Sequence, residues 1–163
     1  MSVIQRACGV HASIARLLNS LQSPLLLAIR LYWGWQLAQS GWGKLHNLDR
    51  VTQFFISLNL PSPHFTAICI SSLELFGGIC LALGLGSRLV PLVLFVNMTV
   101  AYLTAEPEAF KAVLADPDKF TGASAYTFWF ATLIVLIFGP GYLALDYLIG
   151  RRLGYKNPPS KIA

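Results

Sequence analysis

The sequence predicts an all-α integral membrane protein, a four-transmembrane-helix bundle with short interfacial helices, and three observations predict it. With 163 residues, 55% hydrophobic and only 12% charged, the chain is too apolar to cover a water-soluble core with a polar surface. Four apolar stretches are punctuated by glycine, proline or charge clusters. About 20 helical residues cross the hydrocarbon layer, so this length accommodates four spans, short loops and no separate soluble module. The net charge of +5 is spread unevenly. With both termini cytoplasmic, Arg6, Arg16, Arg88, Arg151, Arg152, Lys156 and Lys161 lie inside and Lys44, Arg50, Lys111 and Lys119 outside, the bias that orients membrane proteins. Here the positive charge reads as topology, and no nucleic-acid partner is expected.

Residues 1–21 place Arg6, His11 and Arg16 among apolar residues. Without the unbroken apolar core and small-x-small site of a cleaved signal, they read as a retained amphipathic lead-in on the inner surface. The membrane domain occupies residues 22–152. Its first span runs from Pro24, tolerated in a helix's first turn, to Gly41. Arg30, Gly34, Leu37 and Gly41 share one stripe of it, and Gly34 with Ala38 makes a small-xxx-small pair suited to close packing. The run from Phe54 to Pro61 is too short to span and reads as an interfacial cap at the outer end.

The second span, Pro63 to Leu83, carries Glu74 and a Gly78, Ala82, Gly86 stripe, and ends in the turn from Gly84 to Arg88. The third runs from Leu89 to Leu103 with Asn97 as an interhelical donor. The charges and prolines of residues 104–122 exclude a span but leave room for a short outer helix. The fourth runs from Ala123 to Phe138 and is broken by Gly139-Pro140-Gly141. Tyr142 to Arg152 then reads as an amphipathic segment on the inner surface, and residues 153–163 as a disordered cytoplasmic tail.

Two charges stand inside these apolar stretches, Glu74 and Arg30. Each costs about 3 kcal/mol by insertion scales, so each is expected to have a structural or functional reason. Helix arithmetic puts Arg30 about 9 Å and Glu74 about 14 Å from the inner ends of antiparallel spans, within an arginine's reach. The two are therefore expected to pair. The pair could fix helix register, face a partner subunit, or line a polar pocket where a quinone head group binds and protons move. Glu74 and Arg30 are the candidate catalytic residues, and Arg30, Gln36 and Glu74 the candidate quinone-binding set.

Lys44 and Arg88 lie near opposite membrane ends, where long basic side chains anchor. His46 and His64 lack a third ligand, so no metal site is expected. Cys8, Cys69 and Cys80 form no CxxC, and Cys69 and Cys80 would stand about 16 Å apart on one helix. That argues against a disulfide-shuttling oxidoreductase. No strand-linked nucleotide-binding glycine pattern, HExxH or nucleophile elbow is present.

Five motifs in order resemble the DoxX family of small bacterial membrane proteins: Arg30 with Gly34, Gly41 and Lys44-Leu45; Phe54-Phe55 to Leu60-Pro61; Glu74-Leu75-Phe76-Gly77-Gly78; Leu83 to Arg88; and Phe138 to Gly141 with Leu145-Asp146. The resemblance implies a four-helix protein of the bacterial cytoplasmic membrane, multi-pass, with Arg30, Lys44, Glu74 and Arg88 belonging to the family pattern. Relatives in that family include the membrane subunit of an archaeal thiosulfate:quinone oxidoreductase and members tied to oxidative or thiol stress. The expected function is thus a membrane subunit of a redox or sulfur-linked system, holding a quinone-like ligand in the bundle and incomplete as an enzyme alone. The alternative is a non-catalytic accessory or scaffold that assembles partner enzymes. No cofactor beyond a quinone is suggested by the residues. Membrane lipid is the expected surrounding, and a second copy or a redox protein the expected partner.

Overall fold

A computed structural model describes residues 3–86 and 88–152, with side chains described at position 11, at 14–16 and from 18 onward. The expected tail at 153–163, and Arg6 and Cys8 as side chains, lie outside what is described. Among the described residues the chain is wholly helical, without strands. The helices are α1 (Val3–His46), α2 (Leu48–Ser57), α3 (Pro63–Leu83), α4 (Leu89–Ala105), α5 (Pro107–Lys111), α6 (Pro117–Thr121), α7 (Tyr126–Phe138) and α8 (Leu145–Arg152).

The boundaries follow local chemistry where the sequence states it. Pro63 sits in the first turn of α3, and Gly84, at φ +70°, closes the helix in the left-handed conformation that glycine adopts freely. Gly139, at φ +78°, ends α7 one residue after Phe138. The start of α1 differs from expectation. The helix runs through Pro24 as one 44-residue element, about 66 Å long at 1.5 Å per residue, and has no break after the lead-in. An internal proline removes one backbone hydrogen bond, and helix-compatible sequence on both sides carries the chain through it.

α1 packs along α3, α3 on α4, α4 on α7, and α7 closes back on α1, while α2 lies against α3. The α1–α3 contact is the closest, as the small residues predicted. A side chain at Gly34 would stand 2.7 Å from the Ala82 nitrogen and 2.8 Å from the Gly78 carbonyl oxygen. At Gly41 it would collide with the backbone of Ser71 and Leu75. Residues advancing on α1 therefore meet residues receding on α3. Leu37, Leu81, Leu94, Met98 and Val135 form the buried centre. Trp129 Nε1 donates to Thr99 Oγ1 at 3.0 Å across α7 and α4; Asn97, expected in that role, has no partner for Nδ2 among the described residues.

α3 is the one helix among those described that is both long and apolar enough to cross a membrane, with a mean hydropathy of 1.9 in its best window. α4 and α7 are apolar but shorter, at 17 and 13 residues.

Candidate functional site

The α1–α3 register decides which polar groups meet. Arg30 lies level with Gly84, at the end of α3, where a side chain added to Gly84 would collide with the guanidinium. Glu74 lies ten residues back along α3, about 15 Å away. The expected Arg30–Glu74 pair does not form. The reason is the depth assigned to Arg30: α1 continues through Pro24, and in the observed register it is α3 that ends at Arg30's level, so Arg30 lies beyond the reach of Glu74.

Glu74 finds its countercharge in Lys44. Lys44 Nζ donates to both carboxylate oxygens at 2.6 Å, and Ser40 Oγ donates to Oε2 at 3.2 Å. The carboxylate is almost sealed, with its side chain 4% exposed, whereas that of Lys44 is 36% exposed. Ser40 and Lys44 are one helical turn apart on α1, and Gly41 beside them lets the two backbones close enough for the contact. Ser71, a turn before Glu74, is fully buried, and its hydroxyl has no partner among the described residues. The arrangement can hold a proton on, or take one from, a group approaching from the Lys44 side.

Arg30 is fully buried and serves a different contact. Its Nη2 donates to the Leu143 carbonyl at 2.9 Å, while Nε and Nη1 have no hydrogen-bond partner among the described residues. The Asp146 amide donates to the Gly84 carbonyl at 3.2 Å, and the Tyr142 amide lies 3.3 Å from Ser23 Oγ, its acceptor. Together these fasten the α7–α8 connection against α1 at Ser23 and Arg30 and over the C-terminal end of α3. The void beside Arg30, lined by Leu81, Leu85, Pro91, Val135 and Pro140, has no water-sized space.

The remaining expected residues are placed apart from Glu74. Gln36 Nε2 donates to Tyr32 Oη at 3.5 Å within α1. Arg88 is exposed at the α3–α4 turn. His46 Nδ1 lies 2.9 Å from the Trp42 carbonyl in its own helix, and no cluster of three metal-ligating side chains occurs among the described residues. An open depression of about 470 Å³ lies elsewhere, beside Glu106, Glu108, Asp118 and Lys119.

Lys44 and Ser40 are what sequence reasoning missed as Glu74's partners. A signal for Lys44 was present. The stripe Arg30, Gly34, Leu37, Gly41 continues at the next step to Lys44, on the face that Gly34 and Gly41 mark for α3.

The stretch that builds both ends of this α1–α3 seam is also the stretch that matches a known family: residues 25–107 match DoxX. The chain belongs to the DoxX family. The DoxX match contains Arg30, Ser40, Lys44 and Glu74, and with them the whole of α2, α3 and α4. A Bacillus subtilis (strain 168) protein named Putative oxidoreductase CatD is 28% identical over 131 residues, covering 80% of this chain and 90% of its own length. No solved structure gives a significant match.

Proposed function

We propose that the chain is the membrane-embedded component of a redox system, and that the Lys44–Glu74 pair engages the head group of a quinone-like ligand. In this reading α1, α3, α4 and α7 cross a bacterial cytoplasmic membrane with both chain ends inside. The observation that carries it is a sealed carboxylate among apolar helices whose ammonium partner is about one-third exposed. A charge so placed in a membrane helix has a functional role by default, and here one member of the pair can be reached. The redox part is supported by the DoxX relative named as an oxidoreductase. The membrane part is supported by α3 and by the loop charges. At 17 and 13 residues α4 and α7 extend only about 26 and 20 Å, so the bilayer would thin around them.

The chemistry asked of these residues is modest. Lys44 donates a hydrogen bond to a ligand carbonyl oxygen, and Glu74 yields or accepts the proton exchanged at that oxygen. Electrons are exchanged with a partner protein. The Arg30 void is the poorer candidate, because a ligand there would have to open the contacts over the inner end.

Organic extracts of gently purified protein test this by mass spectrometry. Quinone should be enriched in the wild type and depleted several-fold in Glu74→Gln and Lys44→Met. Equal quinone in all three would remove the site from Lys44–Glu74. Quinone absent throughout, with a soluble protein retained instead, would make the chain an accessory or scaffold.

A further inference from the structure

α8 is turned inside out relative to a helix on a water-soluble surface. Leu145, Leu148, Ile149 and Arg152 fall at i, i+3, i+4 and i+7, one stripe of the helix, and all four are exposed. The partly buried residues are instead Asp146, Tyr147 and Gly150, so the one acid of the helix is on the inward side. Tyr142 and Leu143, in the connection before α8, are exposed as well. Among the described residues no helix packs along α8 to cover its apolar stripe. Eight residues are also too few for a helix to persist on its own hydrogen bonds, so α8 needs a surface on which that stripe can lie.

The nature of that surface follows from level, aromatic placement and charge. α3, apolar enough to cross a membrane, has 21 residues and extends about 32 Å, the thickness of the hydrocarbon layer, so Gly84 at its end stands at a membrane boundary. The Asp146 amide donates to the Gly84 carbonyl at 3.2 Å, which holds the first turn of α8 at that boundary. Tyr142 and Tyr147 pack edge to face there, with ring centroids 5.4 Å apart, and tyrosine suits a depth that is apolar on one side and wet on the other. Arg151 and Arg152 occupy the last turn of α8, both exposed and neither in an ion pair among the described residues. Arg88, four residues beyond Gly84, is exposed at the same end. An apolar stripe finishing in guanidinium groups fits an acyl layer bounded by phosphate. A groove on a soluble partner would fit the stripe but would not require it to stand where α3 ends.

We propose that α8 is an in-plane lipid-binding helix: Leu145, Leu148 and Ile149 enter the acyl layer of one leaflet, and Arg151 and Arg152 bind the phosphates of anionic phospholipids. Guanidinium groups match phosphate oxygens in a two-pronged geometry. Phosphatidylcholine carries its own cation beside the phosphate and phosphatidylglycerol does not, so the anionic lipid is held in preference. The inference rests on the membrane placement of α3 in the proposed function and is independent of what Lys44–Glu74 binds. In that orientation the leaflet is the cytoplasmic one.

The test uses full-length protein in nanodiscs of phosphatidylcholine mixed with phosphatidylglycerol. Native mass spectrometry of protein released from them should show phosphatidylglycerol retained at least several-fold over phosphatidylcholine, and Arg151→Gln with Arg152→Gln should lose that enrichment. With Cys8, Cys69 and Cys80 replaced by serine, a fluorophore at Leu148→Cys should be shielded from iodide and quenched by a lipid-borne quencher. A fluorophore at Phe76→Cys, on the exposed face near the middle of α3, reports insertion itself and should behave alike, whereas one at the exposed Asp118→Cys should be open to iodide. Phe76 shielded with Leu148 open to iodide would overturn the proposal and leave the membrane reading standing; Phe76 open to iodide would overturn both. Equal retention of the two lipids by the wild type, or shielding of Leu148 only when a second protein is added, would also overturn the proposal.

Discussion

The two buried charges of this molecule sit on one pair of helices about 15 Å apart and are accommodated in opposite ways. Glu74 receives a countercharge and a hydroxyl, and its partner Lys44 reaches toward the surface. Arg30 receives a backbone carbonyl, is sealed, and has no hydrogen-bond partner for Nε and Nη1 among the described residues. A guanidinium spreads its charge over a planar fork and can fasten loop backbone, so Arg30 works as a clasp at the C-terminal end of α3. An ammonium on a flexible stem can leave its partner and return, so Lys44 makes Glu74 accessible. Burial of a charge is therefore not by itself the mark of a site. The reachable partner is what distinguishes the Lys44–Glu74 pair.

Substitutions sharpen this contrast, and the largest effect is expected from Lys44→Met. It leaves a sealed carboxylate with only Ser40, and the cost should be about 3 kcal/mol, read as a lowered unfolding midpoint in detergent. Gly84→Ala should follow at about 2 kcal/mol, because alanine strains the left-handed turn and its methyl collides with Arg30. Arg30→Ala should suppress part of that penalty in the double variant. Glu74→Gln should cost less, about 1 kcal/mol, since the ammonium it strands can swing to the interface. The smallest change is expected for Arg30→Met, within about 1 kcal/mol, because losing one hydrogen bond is offset by removing a desolvated charge. A loss at Arg30→Met equal to that at Lys44→Met would break the comparison.

Much of the fold was legible because the chain states its boundaries. Pro63 and Gly84 bracket α3, Gly139-Pro140-Gly141 ends α7, and Gly34, Ala38, Gly78 and Ala82 announce the α1–α3 contact. The beginning of α1 was not legible. Pro24 looks like a first-turn proline, yet helix-compatible residues precede it, and only the contacts of Ser23 and Arg30 with the α7–α8 connection show where the bundle starts. That one boundary displaced Arg30 in depth and gave Glu74 the wrong partner. Glu74 itself was legible as a charge that needs company. Its true partner was hidden because Lys44 follows Gly41-Trp42-Gly43, where the sequence reads as an exit from the membrane, whereas α1 continues to His46.

The most direct measurement is a double-mutant cycle on Lys44 and Glu74, Lys44→Met and Glu74→Gln singly and together, read by thermal unfolding of purified protein. The account predicts that the double variant is more stable than Lys44→Met alone, with a coupling of about 2 kcal/mol or more, as removing both partners abolishes the stranded charge. Additive losses, or the same coupling found between Glu74 and Arg30 instead, would contradict it.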